Sequence, residues 1–318
     1  MRPLADALSE DHSIALVCST LGLPRSTRYY DAGSAPNSRR EEDEKLKEDV
    51  HRVYLENKKV YGAPRIRLAL LDEERRHSKR RIARLMSELG IAGRSRGRRK
   101  PRMTNSKHRN RIAPNKLGEL DVVEKAHSVW VSDTTYIKAK SQWLYLAATM
   151  DYYSRTIVGW EVSTINDGEL TCKALSNAIE SYPTSRPLHH SDRGSTYACE
   201  TFMKELRKVD AVTSMSRRGD CYDNAAMESF FGTLKAEWIG SKRYSDSDEC
   251  RSDIFEYIES FYNTRRIHTS LGMSPKRKLQ ERNGEPSRKA LRPTASSPCG
   301  KVALDTDKQN SHNLNTNN

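Results

Sequence analysis

The sequence predicts an α/β protein: a mixed sheet with helices on both faces, preceded by small all-helical segments. Three observations carry this. Three strand-like runs follow one another, strand and helix signals then alternate, and upstream of them apolar residues recur at helical spacing. At 318 residues the chain has room for a sizeable core and two or three domains.

The first region, residues 1–38, contains "SIALVCSTLGLPRSTRYY". Ile14, Leu16, Val17 and Leu21 line one helix, Gly22 stops it, and "PRSTRYY" opens a second that carries Arg25 and Arg28. The pair is either a helix-turn-helix or a helical hairpin that merely packs. Residues 41–100 read as a helical region. In "EEDEKLKEDVHRVYLEN", Leu46, Val50 and Val53 recur at helical steps, as do Ile82, Leu85, Met86 and Leu89 in "SKRRIARLMSELG". Ser78 is the expected N-cap of the latter helix, and Gly90 lies just past its end. Its other face carries Lys79, Arg80, Arg81 and Arg84, which suits a helix lying on a phosphate backbone. Residues 101–116 lose all periodicity and read as a basic linker.

Residues 117–280 hold the sheet. Strands are expected at 127–137, 142–150 and 155–163, the last two joined by a tight turn at Asp151–Ser154. A helix at 167–181, a strand at "PLHHSD", a helix near 199–208, a strand at "AVTSMS" and helices beyond Asn224 follow. Residues 281–318 are polar, cannot bury enough surface to fold, and are expected to be a disordered tail.

Hydrophobic residues make up 36 % and charged residues 31 % of the chain, and no apolar run approaches membrane-spanning length. The N-terminus lacks a basic region followed by an apolar core, so a cytoplasmic protein is expected. Its six cysteines are scattered without a C-x-x-C pair, which argues against a zinc knuckle and a disulfide framework. The net charge of +13 is concentrated: between Arg75 and Arg111 lie fifteen Lys or Arg and one acid, Glu88. Such a block beside a nearly neutral body is either an electrostatic footprint for nucleic acid or a solvated charged linker. Arg94, Arg96, Arg98, Arg99 and Lys100 belong to it, and nucleoid association would follow from the first reading.

Three carboxylates stand out. Asp133 interrupts the strand formers of "VWVSDTTYIK", where a buried charge is costly unless compensated. Asp192 ends a short apolar strand in "LHHSDRGSTY". Glu228 flanks the apolar stripe Met227, Phe231, Leu234 and Trp238 of a helix, with Lys235 on its own side. Singly, these are a salt-bridged strand residue, a turn residue and a partner of Lys235. Together they are three oxygen donors, with 35 residues between Asp192 and Glu228. Oxygen donors of this kind suit a hard cation such as Mg²⁺. Two such ions roughly 4 Å apart activate a hydroxyl and stabilise the leaving oxygen of a phosphodiester.

The words "WVSDTTYI", "HHSDRGSTY", "SMSRRGDCYDNAAMESFFGTLKAEW" and "FYNTRRIHTSLGMSPKRKL" resemble the catalytic core of DDE transposases of bacterial insertion sequences. The nearest type is the second-frame protein of insertion sequence family three, whose core is similar to retroviral integrase. The resemblance covers about 41–280, with "YGAPRIRLALLDEERRHSKRRIARLMSELGIAGRSR" resembling that family's auxiliary helix-turn-helix segment. It implies an RNase H-like, mixed five-stranded sheet with Asp133, Asp192 and Glu228 as catalytic Mg²⁺ ligands, Mn²⁺ being able to substitute. It also implies cutting of element ends to expose 3′-hydroxyls and their transfer into target double-stranded DNA, by a homo-oligomer. Lys235 matches a basic position of the family suited to a DNA phosphate. Among further matching residues, Arg193, Asn224 and Arg266 are expected to touch DNA, Trp130 to lie in the core, and Asn263–His268 either to belong to the site or to cap the last helix. The chain continues beyond the family's usual end near Ser274–Pro275. It also lacks the basic helix-turn-helix and zipper that an upstream frame usually supplies by fusion. The alternatives are a catalytically decayed or repurposed DNA-binding protein, and a nuclease of the same fold that cuts without joining.

Overall fold

The computed structural model describes residues 8, 12–22, 38–95, 110, 112–217, 224–240 and 242–281. Helix α1 (Ile14–Thr20) starts at Ser13, whose Oγ accepts the Leu16 N–H, and it buries Val17 and Cys18. The expected second helix at "PRSTRYY", most of the basic linker and the expected disordered tail from 282 lie outside the described residues.

Three helices follow: α2 (Ser38–Glu56), α3 (Ala63–Asp72) and α4 (Lys79–Glu88). Helix α3 opens with Pro64 in its first turn, where a missing N–H costs nothing. Ser78 caps α4 by accepting the Arg81 N–H at 3.1 Å, and Gly90 leaves it at φ 66°, both at the expected positions. Leu46, Val50 and Val53 of α2, Ile66 and Leu70 of α3, and Ile82, Leu85 and Met86 of α4 are buried against one another.

The sheet comprises β1 (Val129–Lys138), β2 (Trp143–Asp151), β3 (Ile157–Ser163), β4 (Leu188–Ser191) and β5 (Val212–Met215), in the order β3-β2-β1-β4-β5. β1–β2 and β2–β3 are antiparallel, and β1–β4 and β4–β5 parallel. The crossovers carry α5 (Gly168–Ser181) and α6 (Glu200–Lys208). Every expected strand is present, with bounds moved by only a few residues. Asp151 makes the turn into β3: its Oδ1 accepts the His127 N–H at 2.7 Å, and its Oδ2 accepts the Ser154 N–H and hydroxyl at 2.9 and 2.6 Å.

Alternation along β1 divides the core. Val129, Val131 and Ile137 join the apolar cluster formed with α7 (Ala225–Leu234) and α8 (Ser247–Phe255). Trp130 faces the other way, toward Leu175 of α5 and Phe202 of α6, so the expected core position of Trp130 holds. Gly159 of β3 lets α5 approach: an added Cβ would collide with the Ala174 carbonyl oxygen and lie 2.5 Å from the Ala178 nitrogen. Both C-terminal helices widen into π turns, α7 over Lys235–Ile239 and α8 over Glu256–Tyr262, and α9 (Pro275–Gln280) follows.

The helical region and the sheet region share one apolar cluster, in which Leu46, Ile66 and Leu85 stand with Phe230, Trp238 and Tyr257. Tyr61 adds polar stitches, its hydroxyl accepting the Ile267 N–H at 2.7 Å and donating to the Arg265 carbonyl at 3.3 Å. Among the described residues no helix is long and apolar enough to cross a membrane, and Cys18, Cys172, Cys199 and Cys250 are free thiols.

Candidate active site

Strand register brings the first two acids together. Val131 of β1 pairs with His190 of β4, and two residues further along each parallel strand comes an aspartate, Asp133 and Asp192. Asp133 is partly buried, and its Oδ1 accepts the Thr134 N–H at 2.7 Å. Burial, then the charge of Asp192 and more weakly that of Glu228, pushes its pKa up to about 8 against the pull of the Thr134 N–H and Lys235. Asp192 is set by its own loop: Gly194 donates its N–H to Oδ1 at 2.8 Å, and a Cβ on Gly194 would crowd that oxygen at 2.9 Å.

Glu228 stands exposed in the first turn of α7, while Met227, Phe230, Phe231 and Leu234 of the same helix are buried. Asn224, just before the helix, donates from Nδ2 to the Ser132 carbonyl at 3.2 Å. It therefore ties α7 to β1 one residue from Asp133. Among the described residues no three His, Cys, Asp or Glu side chains form a ready-made metal cluster. The donors are nevertheless hard oxygens, and a divalent cation would offset both the burial and the neighbouring negative charge that raise the Asp133 pKa.

Beneath the acids runs a polar network. Ser132 Oγ lies 2.8 Å from both Thr149 Oγ1 and His189 Nε2, and Thr134 Oγ1 lies 3.0 Å from the Tyr197 hydroxyl. His190 Nδ1 meets Ser214 Oγ at 2.9 Å, and that hydroxyl accepts the N–H groups of Lys116 and Leu117. Ser132 and Thr134 alternate with Asp133, which was the available signal: these side chains sit on the opposite face of β1 and stiffen the strand that carries the acid.

The integrase core domain matches residues 123–221 and, in a second form, residues 210–275; an HTH-like domain matches residues 41–99. The insertion element IS600 uncharacterized 31 kDa protein of Shigella sonnei is 39% identical over 80% of this chain and 94% of its own. The transposase for insertion sequence element IS904 of Lactococcus lactis is 36% identical over 76% of this chain and 96% of its own. The chain belongs to the insertion-sequence transposases with an integrase core. Transposase InsF for insertion sequence IS3A of Escherichia coli is a further relative, 29% identical over 83% of this chain and 93% of its own. Among solved structures, the simian T-cell lymphotropic virus intasome in complex with PP2A regulatory subunit B56 gamma aligns at TM-score 0.44 and 14% identity, over 69% of this chain and 73% of that one. The HTLV-2 integrase catalytic core domain in complex with magnesium aligns at TM-score 0.38 and 14% identity, over 49% of this chain and 97% of that one.

The basic residues of the transposase divide by what they touch. Lys79 and Arg80 are exposed on α4. Arg81 and Arg84 instead grip Asp43 of α2 at 2.6 and 2.5 Å, with Glu42 and Glu88 as second partners, so half of the expected phosphate-binding face clamps two helices together. Arg193 reaches the Ser216 carbonyl with Nε at 2.6 Å. Lys235 donates to Thr135 Oγ1 at 2.6 Å and lies 4.3 Å over the Tyr136 ring, beside the acids. Arg96, Arg98, Arg99 and Lys100 lie outside the described residues.

Two expectations need correction. Arg266 is buried at 4% exposure, with Nε and an Nη on the Glu237 carboxylate at 2.6 and 2.9 Å. Its guanidinium is spent on that acid and is not at a DNA surface. Asn224 is likewise buried, in the helix anchor just described. Asn263 is the C-cap of the π turn of α8, its N–H donating to the Ile258 carbonyl, while its side chain splints α8 to β3: Oδ1 accepts the Ile157 N–H at 2.9 Å and Nδ2 donates to the Ile157 carbonyl at 3.0 Å. Glu237, which the sequence reading passed over, also takes Arg65 of α3 at 2.6 Å, and its carbonyl accepts from Arg94 at 2.9 Å.

Proposed function

We propose that Asp133, Asp192 and Glu228 are the catalytic carboxylates and that they hold two Mg²⁺ ions, replaceable by Mn²⁺, for cutting element ends and joining the exposed 3′-hydroxyls to target double-stranded DNA. The observations that support this are the parallel register that sets Asp133 and Asp192 two residues beyond the Val131–His190 pair, the Asn224 tie from α7 to Ser132, and a pKa of Asp133 raised by burial, then by the charges of Asp192 and Glu228. The ions, when bound, would lower the pKa of the attacking hydroxyl and offset charge on the leaving oxygen. The chain's own part is placement. Gly194 fixes one Asp192 oxygen, Asn224 fixes the start of α7, and Lys235 offers an ammonium group to a phosphate beside Asp133. Residues 41–100 act as the auxiliary DNA-binding segment and 117–280 as the catalytic core. A homo-oligomer on DNA is expected because the reaction joins two ends, and a product of an upstream frame, fused to this chain, would add end recognition. Such a protein works in the cytoplasm on the nucleoid.

The test incubates the full chain and Glu228→Gln with labelled DNA carrying the gene's own flanks, in Mg²⁺, in Mn²⁺ or in EDTA. Metal-dependent nicking at one position and joined products are expected from the wild type alone, with DNA affinity of the variant within about twofold, since Gln removes a metal ligand and no phosphate contact. Equal cleavage by Glu228→Gln would remove the assignment of the acids. Nicks without joined products would favour the nuclease reading.

A further inference from the structure

Helix α7 carries Glu228 near one end and runs on, through its π turn, to Glu237 near the other. Each end is held by a different part of the chain. At the start, Asn224 reaches the Ser132 carbonyl of β1. At the far end, the buried Glu237 carboxylate takes Arg266 through two hydrogen bonds and Arg65 of α3 through one, at 2.6 Å. Arg94, a few residues beyond α4, donates from Nη1 to the Glu237 carbonyl at 2.9 Å, and its own N–H is fixed on the Val60 carbonyl at 3.2 Å. Arg65 and Arg94 both belong to the HTH-like region, and their segments meet at a close backbone crossing. An added Cβ on Gly93 would lie 2.5 Å from the Gly62 nitrogen.

Apolar packing already joins the helical region to the core, but it is non-directional. A buried ion pair adds little net stability over apolar groups of similar volume, because desolvation cancels most of its attraction. What charged hydrogen bonds add is fixed geometry. Geometry matters here because Glu228 lies nine residues back along the same helix, roughly 13 Å away. Asn224 sets where the helix starts, and the arginines set where it points. A misplacement of about 1 Å at a reacting centre can cost on the order of a hundredfold in rate.

We propose that Arg65 and Arg94 are positioning residues for Glu228: by holding Glu237 they aim α7, so the HTH-like region completes the geometry of the catalytic core. The inference rests on the reading of Glu228 as a metal ligand. It gives a second task to a region otherwise read as DNA-binding, and it places the action of Arg65 at Glu237.

The experiment compares the full-length wild type with Arg65→Ala, Arg65→Lys, Arg94→Ala and Arg67→Ala. Arg266 stays on Glu237 in all of them, so the buried carboxylate keeps a cation; circular dichroism and thermal midpoints check that the fold is intact. Arg67 lies about 200° round α3 from Arg65, so its loss removes the same charge away from Glu237. Hydrogen exchange is read first, in EDTA and without DNA. Arg65→Ala should speed exchange in peptides from α7 by about tenfold and leave those from β1 and α5 unchanged, and Arg94→Ala should act in the same direction. Single-turnover nicking of flank DNA in Mg²⁺, at saturating DNA, should fall about 10- to 100-fold in Arg65→Ala, with DNA affinity within about twofold. Arg65→Lys should recover most of both losses, since Arg65 makes a single hydrogen bond that an ammonium group can replace. Arg67→Ala should nick at the wild-type rate. Unchanged α7 exchange or an unchanged nicking rate in Arg65→Ala would overturn the inference. Faster exchange spread over the whole sheet, or a loss confined to DNA affinity, would overturn it too. Equal nicking by wild type and Glu228→Gln would instead remove the acid assignment, while α7 exchange would still report whether Arg65 aims the helix.

Discussion

At the residue scale, two buried histidines make the fold sensitive to acid. Burial, then the charge of His190, pushes the pKa of His189 down to about 3, and burial, then the charge of Arg266, pushes that of His268 down to about 4. Unfolding returns both to about 6.5. At these two sites the unfolded chain therefore binds more protons across that window, and their contribution to stability, complete above it, falls as pH drops from about 6.5 toward 4, whereas Asp133, raised to about 8, contributes the opposite slope. Thermal midpoints measured between pH 4.5 and 7 should decline less steeply in His268→Asn than in the wild type; parallel declines would show that His268 carries none of the effect. Gly159 makes the opposite kind of prediction, independent of pH. Its missing Cβ is where the backbone of α5 passes, so Gly159→Ala should lower stability by about 1–3 kcal/mol or more at every pH, read from denaturant midpoints. Gly159 was legible only as a residue of a strand, because close approach by a helix leaves no mark in the strand's own pattern.

At the scale of elements, periodicity carried far. The stripe Met227, Phe231, Leu234 and Trp238 is buried as its spacing requires, and Ser78 and Gly90 bound α4 as their chemistry requires. The three acids were legible because each interrupts a pattern: a charge in a strand, a charge at a strand end, a charge on the flank of an apolar stripe. What periodicity misread was the use of charge. The arginine face of α4 looked uniform, and nothing local in "SKRRIARLMSELG" tells that Asp43, far back in the chain, claims Arg81 and Arg84. Paired Lys79→Ala and Arg80→Ala changes should reduce the salt dependence of DNA binding with little effect on the thermal midpoint. Paired Arg81→Ala and Arg84→Ala changes should lower the midpoint through loss of the α2–α4 clamp. If the second pair altered only the salt slope, the clamp would be dispensable. The π turn at Lys235 was illegible for a related reason: the widening of α7 is set by its neighbours, and "FFGTLKAEW" reads as one regular helix.

At the scale of the whole molecule, Glu237 joins distant parts of the chain. It lies in the π turn that follows the helix of Glu228, and it receives Arg266 from the segment after α8 and Arg65 from α3 of the helical region. Burial works against the Arg266 charge, and the hydrogen bonds it donates to Glu237 more than offset it, so its pKa stands above the ordinary value. Removing one member of such a buried set leaves charge without compensation, so Glu237→Ala should cost about 3–5 kcal/mol of stability, measured by denaturant unfolding of the full chain. A cost near zero would mean that water replaces the carboxylate. These partners were beyond the reach of sequence patterns because Arg65 and Arg266 lie 172 and 29 residues from Glu237, and each sits in a segment with its own local explanation.

The same triangle bears on how relatives of this protein exchange parts. Two homologues that recombine anywhere between Arg65 and Glu237 produce a hybrid whose helical region and catalytic half come from different parents. Such a hybrid inherits a working hub only if both parents kept the same charges at all three corners. Gene shuffling across this family should therefore yield folded progeny mainly from crossovers that keep these three positions matched, whatever DNA ends each parent prefers.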